Sequence, residues 1–311
     1  MKFRFPCPVL AIAVPLVALF SGLDLAQGAA SPRVLTDVPF LAADRAEKLD
    51  LYLPAPPANG KRSPAMVWIH GGGWTGGEKA EARAKEICTT FVNAGYVAIS
   101  INYQLGDRAW PQNLLDCKNA VRFLRAHAAE YHLDPDRIGV SGGSAGAHLA
   151  LLVGFTPGVK DLEPGAPYPG VSSAVRSVID MYGPTNFFTR EETDDQGRML
   201  GRRKPPAKVM MTFGTTDWDA EVFRVASPAT YVSRHSPPVL IMHGVLDPEV
   251  DLGQSRTLAA ALEAQGVAHE LVVIEGAGHT FDFESWKKLP MARDLRPVAL
   301  AFLAKHMPAQ P

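Results

Sequence analysis

Three residue types that together perform acyl transfer occur in this sequence in the order serine, aspartate, histidine. Ser144 lies in the stretch GVSGGSAGAHLALL, where Gly142, Ser144 and Gly146 match the pattern G-x-S-x-G. Asp247 follows the apolar stretch PPVLIMHG, and His279 follows HELVVIEG. A serine hydroxyl needs a base to remove its proton, and histidine suits that task near neutral pH. Because an acid must orient the imidazole, the pattern predicts Ser144 as nucleophile, His279 as base and Asp247 as acid.

The stretch HGGGW, from His70 to Trp74, has the composition of a loop that stabilises an oxyanion. Acyl transfer builds negative charge on a carbonyl oxygen, and removing one fixed N–H donor typically costs about 3 kcal/mol. Glycines let the backbone approach that oxygen, and the amide after the nucleophile, here Ala145, is the usual second donor. A phosphate-binding loop would need lysine followed by serine or threonine, which HGGGWTGGEK lacks.

The other histidines fit bracing roles better than the role of the base. His70 is expected to brace the glycine loop, His148 to pack or bond locally after Ser144, and His243 to brace a strand end. The stretch HAAEYH lacks the two-histidine spacing of a helical zinc motif. The acids that could replace Asp247 are Asp251, Glu249 and, less well placed, Asp217.

These residues can act together only if the chain brings their loops to one place. Short apolar stretches alternate with helix-like segments from residue 65 onward, namely AMVWIH, YVAISINY, RIGVSG, VRSVIDMYG, PPVLIMHG and HELVVIEG. Strands that are apolar throughout belong in a sheet covered on both faces. The alternation predicts a mostly parallel α/β sheet, in which functional groups gather at the carboxyl ends of strands. HGGGW, Ser144, Asp247 and His279 all follow such strands.

One stretch, from about residue 187 to 236, interrupts this alternation. It is polar, contains prolines and has weak periodicity, with TREETDDQGRMLGRRKPP at its centre. Long irregular insertions of this kind are often lids over a site, so we expect a lid here. A mobile surface excursion is the alternative.

The first thirty residues have the pattern of a signal peptide. Lys2 and Arg4 precede an apolar run, roughly Val9 to Phe20, and AQGAAS allows cleavage after Gly28 or Ala30. An uncleaved anchor is disfavoured because the run is shorter than a membrane span and contains a proline. We therefore expect export, to the medium or the periplasm, of one domain over residues 31–311, with no stable membrane anchor.

Net charge and cysteine content bear on three further questions: nucleic-acid binding, disulfides and zinc sites. The formal net charge is −1 and no long basic run occurs, so nucleic acid is disfavoured as a partner. Cys88 and Cys117 lie on apolar helix stripes and are expected to be buried free thiols, although an exported protein can form disulfides. No cysteine–histidine cluster indicates zinc.

The motifs HGGGW, GGSAG, HGVLD and GAGH, with NYQL and DCKNAVRFLR in support, resemble the α/β-hydrolase superfamily. More narrowly, the chain is similar to the hormone-sensitive-lipase-like carboxylesterases and to bacterial acetyl and feruloyl esterases. The resemblance implies an α/β-hydrolase fold, a Ser144–His279–Asp247 triad and an oxyanion hole from the amides of Gly72, Gly73 and Ala145. GGSAG in place of GDSAG, and GDRAWPQ in place of APEHPFP, favour the secreted branch often linked to plant cell-wall esters.

The function expected from these residues is a secreted serine carboxylesterase that forms an acyl-enzyme and requires no metal or organic cofactor. Its substrate is a small or polysaccharide-linked ester, with short acyl, acetyl or feruloyl groups. An amidase, aryl-formamidase or peptidase on the same scaffold is the alternative, and an inactive binding module is a remote one. The aromatic residues that could line the pocket, or serve as core packing instead, are Trp74, Tyr103, Trp110 and Tyr182.

Overall fold

A mixed β-sheet positions the loops that carry the candidate residues. The computed structural model describes residues 32–56, 60–189, 191–193, 198–202, 206–217, 219–281, 283 and 294–309. Within these residues the strands are β1 (Arg33–Pro39), β2 (Lys48–Leu53), β3 (Ser63–Ile69), β4 (Val97–Ile101), β5 (Leu133–Gly143), β6 (Val178–Met181), β7 (Glu191–Thr193), β8 (Met199–Arg202), β9 (Val239–Gly244) and β10 (His269–Ile274). The helices are α1 (Ala82–Asn93), α2 (Gln112–Ala126), α3 (Ala145–Phe155), α4 (Ala207–Phe213), α5 (Glu221–Val225), α6 (Leu252–Ala264) and α7 (Arg296–His306).

Eight of the described strands form one sheet in the order β1-β2-β4-β3-β5-β6-β9-β10. β1 pairs antiparallel with β2, and β2 antiparallel with β4. Every pairing from β4 to β10 is parallel. The strands therefore end at one edge, where the loops after β3, β5, β9 and β10 lie. This confirms the expected α/β fold with a mostly parallel sheet.

Helices cover both faces of the sheet, as its alternating side chains require. In β3, Ala65, Val67 and Ile69 belong to one buried cluster, whereas Met66 and Trp68 belong to a second. Residues of α2, α3 and α6 contribute to the first cluster, and residues of α1 and α7 to the second. α3 is buried on all sides, so the turn that leads into it is held on a rigid element.

The described part of the 187–236 stretch contains short regular elements, and several of its residues pack in the core. β7 and β8 form an antiparallel pair, and α4 and α5 follow. Phe187, Phe213 and Phe223 are buried in the cluster that contains α3. These phenylalanines attach the described part of this polar stretch to the core. Its role as a lid stays a prediction.

The expectation for the N-terminus of the chain lies outside the described residues. The predicted signal peptide, residues 1–30, is among the residues that the structure does not describe. Among the residues that it does describe, we find no helix with the length and apolarity to cross a bilayer.

Candidate functional site

Ser144 occupies a strained turn between β5 and α3. Its φ is 55° and its ψ is −120°, a backbone region that non-glycine residues rarely adopt. Crowding around the turn explains the neighbouring glycines: a Cβ on Gly142 would lie 2.4 Å from the carbonyl of Gly146, and one on Gly146 would lie 2.1 Å from the Ile69 oxygen. The Ser144 amide donates to the Met181 carbonyl at 2.9 Å, which ties the turn to β6.

His279 connects Ser144 to Asp247. Its Nε2 lies 2.8 Å from Ser144 Oγ, and its Nδ1 lies 2.7 Å from Asp247 Oδ2. An ionised carboxylate only accepts hydrogen bonds, so Nδ1 carries the proton and Nε2 is left to accept the serine hydroxyl. The structure thus brings the three predicted residues together in the arrangement that nucleophilic catalysis requires.

Asp247 is buried, and four donors surround its carboxylate. Oδ1 accepts the backbone amides of Glu249 and Val250 at 2.8 and 2.9 Å. Oδ2 accepts His279 Nδ1 and also lies 3.2 Å from His243 Nε2. Burial by itself raises the pKa of Asp247, but the hydrogen bonds from the two histidines outweigh it and hold that pKa well below its ordinary value. Asp247 therefore remains a carboxylate beside His279.

His243 is a brace, as predicted, but the sequence did not show that it contacts the acid. Its Nε2 lies 2.8 Å from the Val250 carbonyl, so Nε2 carries a proton that Asp247 shares. Its Nδ1 lies 2.6 Å from Ser255 Oγ. Burial lowers the pKa of His243, yet the hydrogen bond to Asp247 and the charge of that residue leave the pKa above its ordinary value. The pattern H-G-x-x-D at a strand end is the sequence signal that could have suggested this contact.

The ring of Tyr182 packs against the imidazole of His279. The two rings are 4.8 Å apart and inclined at 65°, and the Tyr182 hydroxyl donates to the Phe281 carbonyl at 2.8 Å. A Cβ on Gly143 would lie 2.8 Å from the Tyr182 hydroxyl oxygen. The buried tyrosine therefore explains why glycine stands before Ser144 in GGSAG.

A cavity of about 650 Å³ opens at Ser144 and His279. Its wall consists of Gly71, Gly72, Gly73, Trp74, Arg83, Ser144, Pro184, Pro206, Lys208, Val209, Glu249, Val250, His279 and Thr280. Gly72 and Gly73 have φ of 110° and 61°, which glycine adopts without strain. Within the described residues, the amides of these two glycines donate to no protein acceptor.

The Ala145 amide stands at the first position of α3, where helix amides lack an intrahelical acceptor. The predicted oxyanion donors thus belong to residues beside Ser144, since Gly72 and Gly73 line the same cavity and Ala145 follows Ser144 directly. His70 braces this loop, with its Nδ1 2.7 Å from the Gly71 carbonyl. Burial lowers the pKa of His70, although the same hydrogen bond opposes that change.

Of the four aromatic residues expected at the pocket, only Trp74 is in the wall of this cavity. Tyr103 is buried, stacks on His70 and donates its hydroxyl to the His70 carbonyl. Trp110 packs on Phe213. Tyr103 and Trp110 therefore serve the packing role that was the alternative. Tyr182 is outside the wall as well, but its ring packs against His279.

His148 has the structural role that was expected, and two of its side-chain partners lie far away along the chain. Its Nε2 lies 2.7 Å from the Ala226 carbonyl, and its Nδ1 accepts Trp74 Nε1–H at 3.3 Å. The carbonyl requires the proton on Nε2, which leaves Nδ1 free to accept the indole donor. His148 thus joins the pocket tryptophan to the 187–236 stretch.

The alternative acids take other positions. The Glu249 amide, not its carboxylate, binds Asp247, while Asp251 precedes α6 and Asp217 accepts the Asp219 amide. Among the described residues, no group of three or more metal-ligating side chains is clustered. Cys88 and Cys117 are buried free thiols in separate clusters, and burial raises the pKa of both.

Comparisons with known proteins agree with this geometry. The family profile BD-FAE matches residues 49–262. Esterase LipQ of Mycobacterium tuberculosis is 31% identical over 79% of this chain and 57% of its own length. The structure of esterase Est2 from Thermogutta terrifontis has a TM-score of 0.68 and 28% identity, and covers 92% of this chain and 95% of that one.

A second structure, a truncated carbohydrate esterase from gut microbiota, has a TM-score of 0.70 at 28% identity. It covers 79% of this chain and 89% of its own. The chain spans only about half to three fifths of the length of the curated mycobacterial relatives it matches.

Proposed function

The chain belongs to the BD-FAE family and has the α/β-hydrolase fold of esterases, and from its site we propose that it is a serine carboxylesterase. One observation carries this proposal: His279 lies within hydrogen-bonding distance of both Ser144 Oγ and Asp247 Oδ2. That geometry suits a serine nucleophile, a neutral base and a buried acid in one hydrogen-bonded chain. Structures of the Thermogutta esterase include one phosphoramylated by tabun, which supports a reactive group of the same kind here.

The proposed reaction proceeds through an acyl-enzyme. Ser144 Oγ attacks the ester carbonyl carbon while His279 Nε2 takes the hydroxyl proton. The amides of Gly72, Gly73 and Ala145 stabilise the oxyanion of the tetrahedral intermediate. As the C–O bond breaks, His279 gives its proton to the departing alkoxide. A water molecule then attacks the acyl-enzyme with His279 again as the base, which releases the acid and restores Ser144.

The substrates proposed are esters of short acyl groups, with acetyl or feruloyl groups of plant cell walls as the natural form. The similarity to a carbohydrate esterase supports a sugar-linked ester, and the Thermogutta esterase has been seen with propionate and with butyrate bound.

The N-terminal pattern supports export to the medium or periplasm. Mass spectrometry of exported protein should find a new N-terminus at residue 29 or 31; export of the uncut chain would contradict this.

A fluorophosphonate probe tests the mechanism. The folded wild-type protein should be labelled, and Ser144→Ala should not be labelled while keeping its circular dichroism spectrum. Failure to label folded wild-type protein would contradict a serine esterase.

Substrate comparisons test the bond that is cleaved. 4-Nitrophenyl acetate should be hydrolysed far faster than 4-nitroacetanilide, and the reverse preference would indicate an amidase. Acetylated xylan, methyl ferulate and short 4-nitrophenyl esters then separate the proposed ester classes.

A further inference from the structure

Arg83 lines the cavity beside Ser144, and no described group of the protein forms an ion pair with it. It is the second residue of α1 and is half-buried. Its Nε is buried without a hydrogen-bond partner, and no ion pair or hydrogen bond to Arg83 is found within the described residues. A guanidinium always carries its charge and has five N–H donors in a planar fork. A buried donor without a partner is unfavourable, so this side chain is well placed to bind an external acceptor.

The other charged side chains of the cavity wall do not serve as the acceptor that Arg83 lacks. Among its described residues, the wall contains three charged side chains that can reach a ligand, namely Arg83, Lys208 and Glu249. Asp247 is outside this wall: it contacts Nδ1 of His279, and its oxygens already accept two amides and two histidine protons. The cations come from two parts of the chain, since Arg83 belongs to α1 and Lys208 to α4 of the 187–236 stretch.

The rest of the wall is largely apolar. Its remaining large side chains include Trp74, Pro184, Pro206, Val209 and Val250. A ligand that matches this lining has an apolar part, an ester at Ser144 and an anionic group that reaches Arg83. A carboxylate suits this role because its two oxygens match the planar fork of a single arginine in a bidentate pair.

We propose that Arg83 binds a carboxylate of the ester substrate, so that the enzyme prefers esters whose acyl or alcohol part carries that group. This rests on the proposed esterase function. Lys208 supplies a second positive charge at the same cavity. A bound substrate largely displaces water from such a cavity. The ion pair between Arg83 and the substrate carboxylate would therefore be stronger there than on an open surface.

Paired substrates test the proposal. For the acyl side, mono(4-nitrophenyl) glutarate is compared with 4-nitrophenyl valerate; for the alcohol side, 4-acetoxybenzoate is compared with its methyl ester. The readout is the ratio of kcat/KM for the charged and neutral members, which cancels any loss of folded enzyme. In Arg83→Gln the ratio should fall on the order of tenfold to a hundredfold in one of the pairs, chiefly through KM.

Two variants control the experiment. Arg83→Lys keeps the charge but not the fork and should retain part of the preference. Arg256→Gln removes one positive charge from an exposed position on α6 that is outside the cavity wall, and its ratio should match that of the wild type. The preference should also weaken as salt is raised, because salt screens the charge pair.

The outcomes separate this proposal from the esterase function. If wild-type enzyme hydrolyses the neutral esters and both ratios are the same in Arg83→Gln, the carboxylate site is wrong and the esterase function stands. If no ester is hydrolysed above the level of Ser144→Ala, the esterase function itself is wrong. A lowered ratio in Arg256→Gln equal to that in Arg83→Gln would also overturn the site, because only the overall charge would then matter.

Discussion

The turn after β5 and the loop after β9 each deliver one member of the proposed triad, but they are held by different forces. The turn that carries Ser144 is shaped by close backbone contacts: Gly142 and Gly146 stand where no side chain fits. The loop that carries Asp247 is shaped by hydrogen bonds to its carboxylate from two amides and two histidines. The first is a steric constraint, and the second is a polar network.

This difference predicts how each region responds to change. A steric constraint has little tolerance, because backbone atoms cannot move away from an added methyl group without disturbing the sheet. A polar network distributes its free energy over several donors, so the loss of one donor has a graded effect. Substitutions in the turn should therefore act on folding, and substitutions in the loop should act on catalysis.

Asp247→Asn should have the largest effect on catalysis. The asparagine can keep its oxygen towards the amides of Glu249 and Val250, but its NH₂ group would then face His279 Nδ1 and favour the wrong tautomer. We expect kcat/KM for 4-nitrophenyl acetate to fall about 10³- to 10⁴-fold in a variant that still folds, with a lower Tm because the His243 N–H then faces the NH₂ group.

Asp217→Asn is the matched control, because Asp217 is an exposed acid outside the network. It should keep wild-type activity. Equal losses in the two variants, or unfolding of Asp247→Asn, would contradict the assignment of a mainly catalytic role to the polar loop.

Gly146→Ala should act mainly on stability. The added Cβ would lie 2.1 Å from the Ile69 oxygen and 2.5 Å from the His70 oxygen, both of them backbone atoms. We expect the free energy of unfolding to fall by about 3–5 kcal/mol, measured by urea denaturation. Gly165→Ala is the control, since a Cβ there meets nothing within 4 Å and should be nearly neutral. Similar stabilities for both variants would show that the turn is not sterically constrained.

The difference between the steric turn and the polar loop also explains how much of the fold and of the site could be predicted from the sequence. The apolar strands and the helix Arg296–His306 follow from periodicity, and small residues around Ser144 identify the turn because no larger side chain fits there. The contact of His148 with Ala226 depends on how a distant part of the chain folds back, whereas that of His243 with Asp247 is only four residues long and has its signal in H-G-x-x-D. The position of Arg83 is equally hard to predict from the sequence, since nothing in KAEARAKE distinguishes an arginine that faces a cavity from one in solvent.

Asp180, on β6 between the two regions, should make stability depend on pH. Burial raises its pKa from an ordinary value of 3.8 to about 7, and its Oδ1 accepts the Gly183 amide. Between those two pH values the folded protein keeps a proton that the unfolded chain has lost, so stability should fall as pH rises from about 4 to 7. The slope from one such group is at most about 1.4 kcal/mol per pH unit. Asp180→Asn should flatten this slope in urea titrations, and parallel wild-type and variant curves would contradict it.

His243→Asn should produce the smallest effect, and it tests the polar network most directly. The shorter side chain loses the N–H that Asp247 shares, so the pKa of Asp247 should rise towards its ordinary value. We expect kcat/KM to fall about tenfold at neutral pH and further as pH falls, because a more easily protonated Asp247 holds His279 less well. His243→Gln, whose amide N–H can reach the position of Nε2, should restore part of the acid limb of the pH profile. A uniform loss at every pH, the same in both variants, would mean that His243 only fills space and that the loop does not depend on its donors.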